Sequence, residues 1–354
     1  MANKKRGKPT DKKNPNAWKR TALIAACVVL AVILAVLIAV TAYVEYQTGR
    51  MGDLDNSTLS QEEIDSILND ATATGTGPTM DDSDVDFGTK PSELATGEHI
   101  INILLVGQDR RKGEGRQRSD AMILCTLNTR TKSLTMTSFL RDMYVKIPGY
   151  RNNKINACYQ IGGADLLNAC LKENFGVEVD HNVEVDFEGF MDLIDLVGGV
   201  EIELTSAEAG YLNKRGNWDV TGNDGWRLKK GINKLTGSQA LAYSRIRAIG
   251  TDFERTERQR KVLTALLEKA KDLSFTQITN LINEAIPLIA TDMKTAEIIE
   301  YAGELFKMFS ELEVNSLRIP ADGTYSFADF AGAGDSIVLD FDANRKLLLD
   351  TLTK

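Results

Sequence analysis

IINILLVGQDRRKGEGRQRSDAMILCTLN, residues 100–128, is the segment on which the architecture turns. Ile100 to Val106 and Ala121 to Leu127 are short runs of mainly apolar residues bounded by Gly and charged groups, and each reads as a buried strand. Leu134 to Phe139 and Val200 to Leu204 alternate as half-exposed strands do. Helices are predicted over Ala164 to Asn174 and Phe187 to Val197, stopped at Gly176 and at Gly198-Gly199. Asp252 to Lys271 is the strongest helix, followed by weaker ones near Thr276 to Ile289 and Ala296 to Phe309. Strands interleaved with helices predict an α/β domain, a central mixed sheet flanked by helices on both faces.

Upstream, the chain is built differently. Residues 1–20 carry eight Lys or Arg against one Asp, and residues 21–44 run without a charge until Glu45. An apolar run of 24 residues is long enough to cross a bilayer as a helix, with its basic flank on the cytoplasmic side. The expectation is a cytoplasmic basic tail (1–20), a transmembrane helix (21–44) and a chain that is extracellular thereafter, anchored by a single pass in the cell membrane. A cleaved signal peptide would have an apolar region of only about 7–15 residues. Residues 45–98 hold thirteen acidic and two basic residues among Gly, Ser and Thr, which predicts a flexible linker with one short capped helix from Ser60 to Leu68. Residues 99–354 then make one domain, because the helices after Thr276 are too few to bury a second core.

Composition removes several function classes. The net charge is -8, and with the basic tail set inside, the outer part is more acidic still, which argues against a broad grip on nucleic acid. His99 and His181 are the two histidines, too few for a His-built zinc site or a Ser-His-Asp triad. Cys125, Cys158 and Cys170 show neither a disulfide framework nor metal spacing; buried thiols are expected, with a Cys158 to Cys170 bridge the alternative in an oxidising compartment.

Polar groups gather at strand ends, where a sheet domain keeps its chemistry. Asp109 and Asp120 flank one loop together with Arg110, Arg111 and Arg118. Two converging carboxylates beside a phosphate would seat magnesium, whereas aspartates that merely cap turns are the alternative. Arg141 and Asp142 follow the strand ending at Phe139, and Lys154, Asn156, Tyr159 and Gly162-Gly163 come next. The most informative stretch is Tyr243, Arg245 and Arg247, then Asp252, Arg255, Arg258 and Gln259. Arg255 and Gln259 are one helical turn apart on a stripe that continues into Val262 or Leu263 and then Leu266, so arginine faces inward where core begins. Planar guanidinium forks near a helix start suit phosphate and diphosphate.

These motifs, in order from Gly107-Gln108-Asp109-Arg110-Arg111 through Arg118-Ser119-Asp120, Arg141-Asp142, Ile147-Pro148-Gly149, Lys154-Ile155-Asn156, Gly162-Gly163 and Gly198-Gly199-Val200 to Tyr243-Ser244-Arg245-Ile246-Arg247 and Arg258-Gln259, resemble the LytR-CpsA-Psr (LCP) pattern. The resemblance spans roughly Ile100 to Lys269. It implies the LCP-like α/β/α fold, with lipid in an apolar tunnel between sheet and helices. It also implies transfer of a glycopolymer, such as teichoic acid or capsule, from a polyprenyl diphosphate carrier to peptidoglycan. By that analogy Asp109 and Asp120 hold magnesium, with manganese a substitute. Arg118, Arg141, Arg245, Arg247, Arg255, Arg258 and Gln259 bind the diphosphate, and Asp252 orients the arginines. Asp109, Arg141, Asp142, Arg245 and Arg247 are the catalytic candidates. Two departures stand out: Leu140 where many relatives have Pro, and Gly250-Thr251-Asp252-Phe253-Glu254-Arg255 where many have Gly-Asp-Phe-Gly-Arg, which adds a residue and a carboxylate.

Two rival readings use the same residues. A polyprenyl diphosphate hydrolase would use water in place of an acceptor. A non-enzymatic lipid or glycan sensor would need an output domain, for which 20 inner residues leave no room. Tyr211 to Trp226, rich in Gly, Asn and aromatics, reads either as an acceptor contact or as a mobile surface loop.

Overall fold

The two apolar runs become neighbouring strands in the computed structural model, which describes residues 52, 54, 55, 57–69, 77–91, 95–108, 115–214 and 225–353. β1 (Ile100–Gln108) and β2 (Ser119–Asn128) pair antiparallel with Leu104 opposite Leu124, and β3 (Ser133–Phe139) continues antiparallel to β2. β6 (His181–Val185) joins β1 in parallel, β9 (Ala290–Thr291) joins β6 antiparallel, and β10 (Glu313–Ile319) joins β3 in parallel. The central sheet therefore has the order β10-β3-β2-β1-β6-β9 and is mixed, as expected. Three two-stranded ribbons surround it: β4 (Tyr144–Val145) with β5 (Asn153–Lys154), β7 (Val200–Leu204) with β8 (Gly231–Leu235), and β11 (Tyr325–Phe330) with β12 (Gly334–Leu339).

Strand alternation gives the sheet two unlike faces. Leu104, Val106, Met122, Leu124 and Phe139 pack in the main core with α2 (Ile155–Phe175) and α9 (Phe341–Leu352). Leu105, Ala121 and Ile123 face the other way, toward α3 (Phe187–Leu196), α5 (Gly237–Ser244) and α6 (Asp252–Lys271). These helices, with α4 (Ser206–Leu212) and the β7–β8 ribbon, bury a second core around Ile194, Val200, Leu235, Tyr243 and Val262. Beyond them α7 (Phe275–Ala285) packs on α8 (Thr295–Met308).

The acidic segment expected to be a free linker is instead laid across the domain. Gly52 pairs with Ala290, α1 (Gln61–Leu68) buries Ile64 and Leu68 in the main core, Thr79 pairs with Asp329, and Ala95 pairs with Val177. Leu54, Leu59, Ile67 and Phe87 of this stretch pack against that core, so a largely polar composition concealed a packed strap. The domain begins near residue 52 rather than 99. The expected tail and transmembrane helix lie outside the described residues; among those described, no helix is long and apolar enough to cross a membrane.

Gly162-Gly163 breaks α2 in two. Gly163 takes φ 62°, ψ -152°, a conformation open essentially to glycine alone. The break frees the carbonyls of Gln160 and Ile161, and buried Arg116 donates to them at 3.0 and 2.8 Å. It also brings Cys158 and Cys170 together as a disulfide, correcting the expectation of free thiols: twelve residues apart, they would be about 18 Å apart on a straight helix. Gly163→Ala is expected to destabilise the fold by about 1–3 kcal/mol, read as a Tm lowered by several degrees; an unchanged Tm would mean the break is not required.

Candidate functional site

The sheet face carrying Leu105, Ala121 and Ile123 and the helices opposite it enclose a cavity of about 430 Å³. Val185, Phe187, Phe190, Leu241 and Leu263 complete its apolar wall, while Asp120, Arg141, Arg245, Arg247, Arg255 and Gln259 supply its charged and polar lining. A cavity thus lies between sheet and helices, where the resemblance implies a lipid tunnel.

Each charged group is delivered by a different element. Asp120 opens β2, and its Oδ1 accepts from Arg141 Nη1 at 2.5 Å; Arg141 stands just past the end of β3. Arg247 Nη2 lies 3.7 Å from the same oxygen. Arg255, on the second turn of α6, donates through Nη2 to Asp252 Oδ2 at 2.9 Å and to the main-chain oxygen of Asp120 at 3.3 Å. Arg245 caps the C-terminus of α5, with its guanidinium 4.3 Å from the centre of the Phe187 ring. Arg141, Arg247 and Arg255 therefore converge on Asp120, and with Arg245 four guanidinium groups line a cavity whose lining carboxylates are Asp120 and Asp186, an arrangement that suits a multivalent anion.

Titration behaviour follows from the same contacts. Burial alone would raise the Asp120 carboxyl, but Arg141, Arg255 and Arg247 outweigh it and hold the group below the ordinary carboxylate value. Burial, reinforced by Arg247 and Arg141, pushes Arg255 down to about 10 against the pull of Asp252 and Asp120. Because the folded-state value of Asp120 is depressed, its contribution to stability is full above the ordinary value of 3.8 and is lost as pH falls through the lower folded value. Melting curves across pH 2–7 should therefore show a weaker acid dependence in Asp120→Asn than in the wild type; superimposable acid limbs would contradict this.

Several expected site residues are placed elsewhere. Arg118 turns away from the cavity, donating to the Ile67 carbonyl of α1 at 2.9 Å and to Gln160 Oε1 at 3.3 Å. Arg258 is buried against Glu208 at 2.8 Å, and its Nη1 donates to the Ile246 carbonyl at 3.1 Å. It thereby fixes the backbone between Arg245 and Arg247 rather than lining the cavity. Asp142 sits behind the site, 3.4 Å from both Arg141 Nε and Lys154 Nζ. Asp109 lies outside the described residues, as do residues 215–224 of the aromatic loop. Asp186 and Phe187, absent from the motifs that single out the other site residues, line the cavity at the start of α3, where Asp186 accepts from the Gly189 N–H at 2.8 Å; an Asp before a predicted helix was the available sign. Among the described residues no cluster of three His, Cys, Asp or Glu could hold a metal by itself. Asp120 offers a hard carboxylate oxygen, which suits magnesium completed by substrate phosphate and water.

An apolar cavity lined with guanidinium groups, set on a mixed α/β sheet, has the chemistry that suits an amphiphile with a polyanionic head. The chain belongs to the LytR_cpsA_psr family, whose profile matches residues 68–338. It is 33% identical over 236 residues to the polyisoprenyl-teichoic acid–peptidoglycan teichoic acid transferase TagU of Bacillus anthracis, covering 65% of this chain and 72% of TagU. It is 31% identical over 258 residues to the regulatory protein MsrR of Staphylococcus aureus, covering 71% of this chain and 74% of MsrR. The solved structure of YwtF (TagT) from Bacillus subtilis with bound octaprenyl pyrophosphate superposes with a TM-score of 0.55 at 28% identity, covering 73% of this chain and 90% of that one.

Proposed function

We propose that the protein transfers a glycopolymer, teichoic acid or another wall polysaccharide, from a polyprenyl diphosphate carrier to peptidoglycan, from an extracellular position anchored in the cell membrane by residues 21–44. The observation that carries this reading is the junction of an apolar cavity with Arg141, Arg245, Arg247 and Arg255, one wall for a prenyl chain and one charged cluster for its diphosphate.

Bound there, the diphosphate would be gripped by the four guanidinium groups, with Asp120 and Asp252 fixing Arg141 and Arg255. A sugar hydroxyl of peptidoglycan attacks the phosphorus bonded to the polymer. The bridging P–O bond breaks, polyprenyl phosphate leaves, and the hydroxyl proton passes to a base. Asp120, held as a carboxylate by its arginines, is a poor base and serves as their counter-charge. Asp142, the other carboxylate beside Arg141, is likewise tied, to Arg141 and Lys154. Magnesium, or manganese in its place, would be held by Asp120 and Asp109 and would neutralise phosphate charge.

Product analysis tests the proposal: with lipid-linked polymer and wall fragments, polymer bonded to the wall through a phosphodiester is expected, whereas free phosphorylated polymer alone would indicate a diphosphatase. Ala121→Phe, which fills the sheet wall of the cavity, should weaken octaprenyl diphosphate binding at least about tenfold while leaving a short-chain prenyl diphosphate little affected. Equal losses for both would place the chain elsewhere.

A further inference from the structure

The first turns of α6 wall off a second concavity on their other side. Phe253, Glu257 and Arg260 face Leu317 and Arg318 of β10 across a groove of about 360 Å³, closed below by Asp322. Arg260 reaches into it from a half-buried position, donating to the hydroxyls of Ser316 at 2.5 Å and Ser138 at 2.7 Å. Among the described residues it makes no ion pair, and burial together with neighbouring Arg318 lowers its pKa, opposed by Glu257. Arg318 lies 4.2 Å above the Phe253 ring and pairs with the exposed Asp322 at 2.5 Å. Phe253 continues into an aromatic row, 5.0 Å to Tyr325 and 5.7 Å from there to Phe327, which is 49% exposed.

We infer that this groove is the subsite for the acceptor glycan strand, with Arg260 and Arg318 together taking a carboxylate carried by that strand and the Tyr325–Phe327 edge stacking on a sugar face. The inference rests on the transferase reading and deepens it. Two arginines within one groove, Arg260 in no ion pair among the described residues and with Glu257 as a nearby carboxylate, suit an anion that comes closer than Glu257 does; aromatic faces beside them suit pyranose rings. Glu254, Glu257 and Asp322 line the same groove. They would repel a polymer bearing a phosphate on every repeat, yet they accept hydrogen bonds from sugar hydroxyls and acetamido N–H groups, so a glycan with isolated carboxylates fits better than a teichoic-type polyanion. Because α6 is shared, groove and cavity are about one helix diameter apart, roughly 10 Å, a distance that a disaccharide bridges. The carboxylate of Glu254, which the departure from the family pattern adds, accepts from the Thr251 N–H at 2.6 Å and so belongs to this side of the helix.

The test is calorimetric binding of a disaccharide-tetrapeptide muropeptide, and separately of octaprenyl diphosphate, to the full chain in detergent. Arg260→Gln and Arg318→Gln should each weaken muropeptide binding about tenfold with octaprenyl diphosphate affinity unchanged, and Arg260→Lys should recover part of the loss. Melting curves accompany every variant; Arg318→Gln carries the test if the half-buried Arg260 position tolerates no change. Unaltered muropeptide affinity in a folded Arg318→Gln chain overturns the groove alone, as does a poly(glycerol phosphate) probe that outcompetes the muropeptide. Failure of the wild type to bind octaprenyl diphosphate would instead strike the transferase reading, and the groove's role with it.

Discussion

Exchanging Arg245 and Arg247 together for alanine is expected to lower affinity for a polyprenyl diphosphate by about two to four orders of magnitude, since each charge-assisted hydrogen bond to phosphate is worth about 1.5–3 kcal/mol. The fold should survive. Arg247 is exposed and touches Asp120 only at 3.7 Å, and Arg245 lies over Phe187 at the end of α5, so neither supports a core. Arg258, buried between Glu208 and the Ile246 carbonyl, continues to hold the segment that carries both. Binding of octaprenyl diphosphate to the full chain, with a melting curve alongside, checks this. Undiminished affinity would reduce the arginine cluster to a structural feature.

Asp120→Ala should act on catalysis and stability at once. The carboxylate holds Arg141, and its loss leaves Arg141, Arg247 and Arg255 facing one another without their common counter-charge. Misplacing charge-stabilising donors costs about 10²–10³-fold in rate, so transfer should fall to that extent. Breaking a fully buried pair costs about 3–5 kcal/mol, but here the Arg141 and Asp120 side chains keep 22% and 30% of their exposure, so a smaller penalty and a Tm lower by only a few degrees are expected. Asp120→Asn, which keeps the shape but not the charge, should recover only part of the stability and none of the transfer. If Asp120→Asn transfers normally, the negative charge is not part of the mechanism.

Local patterns were legible wherever neighbours in sequence decide the outcome. Val200 to Leu204 and Asp252 to Lys271 form the strand and helix at the predicted bounds, because strict alternation and a continuous helical stripe with an N-terminal cap leave little choice. The arginine cluster could be read for the same reason, Arg255 and Gln259 sharing the α6 stripe that runs on into Leu263 in the cavity wall. Arg118 could not. Strand alternation would place it beside Asp120, but β2 begins only at Ser119 and the register shifts between Gly107 and Gln108, so the alternation does not extend back. Its actual partner, the Ile67 carbonyl, belongs to α1, in a segment whose polar composition hid its attachment to the core. The buried pairing of Arg258, expected at the diphosphate, was not legible because Glu208 comes from α4, fifty residues earlier. Long-range partners of this kind are set by packing, which no local window contains.

The central claim is that prenyl chain and diphosphate occupy the two ends of the cavity between the sheet and α3, α5 and α6. Photo-crosslinking with a polyprenyl diphosphate carrying a diazirine on an early isoprene unit, read out by peptide mass spectrometry on the full chain, tests it most directly. Labelling of Leu105, Ile123, Phe190 or Leu241, suppressed by unlabelled octaprenyl diphosphate, is the expected result; labelling confined to residues outside that cavity would contradict the account.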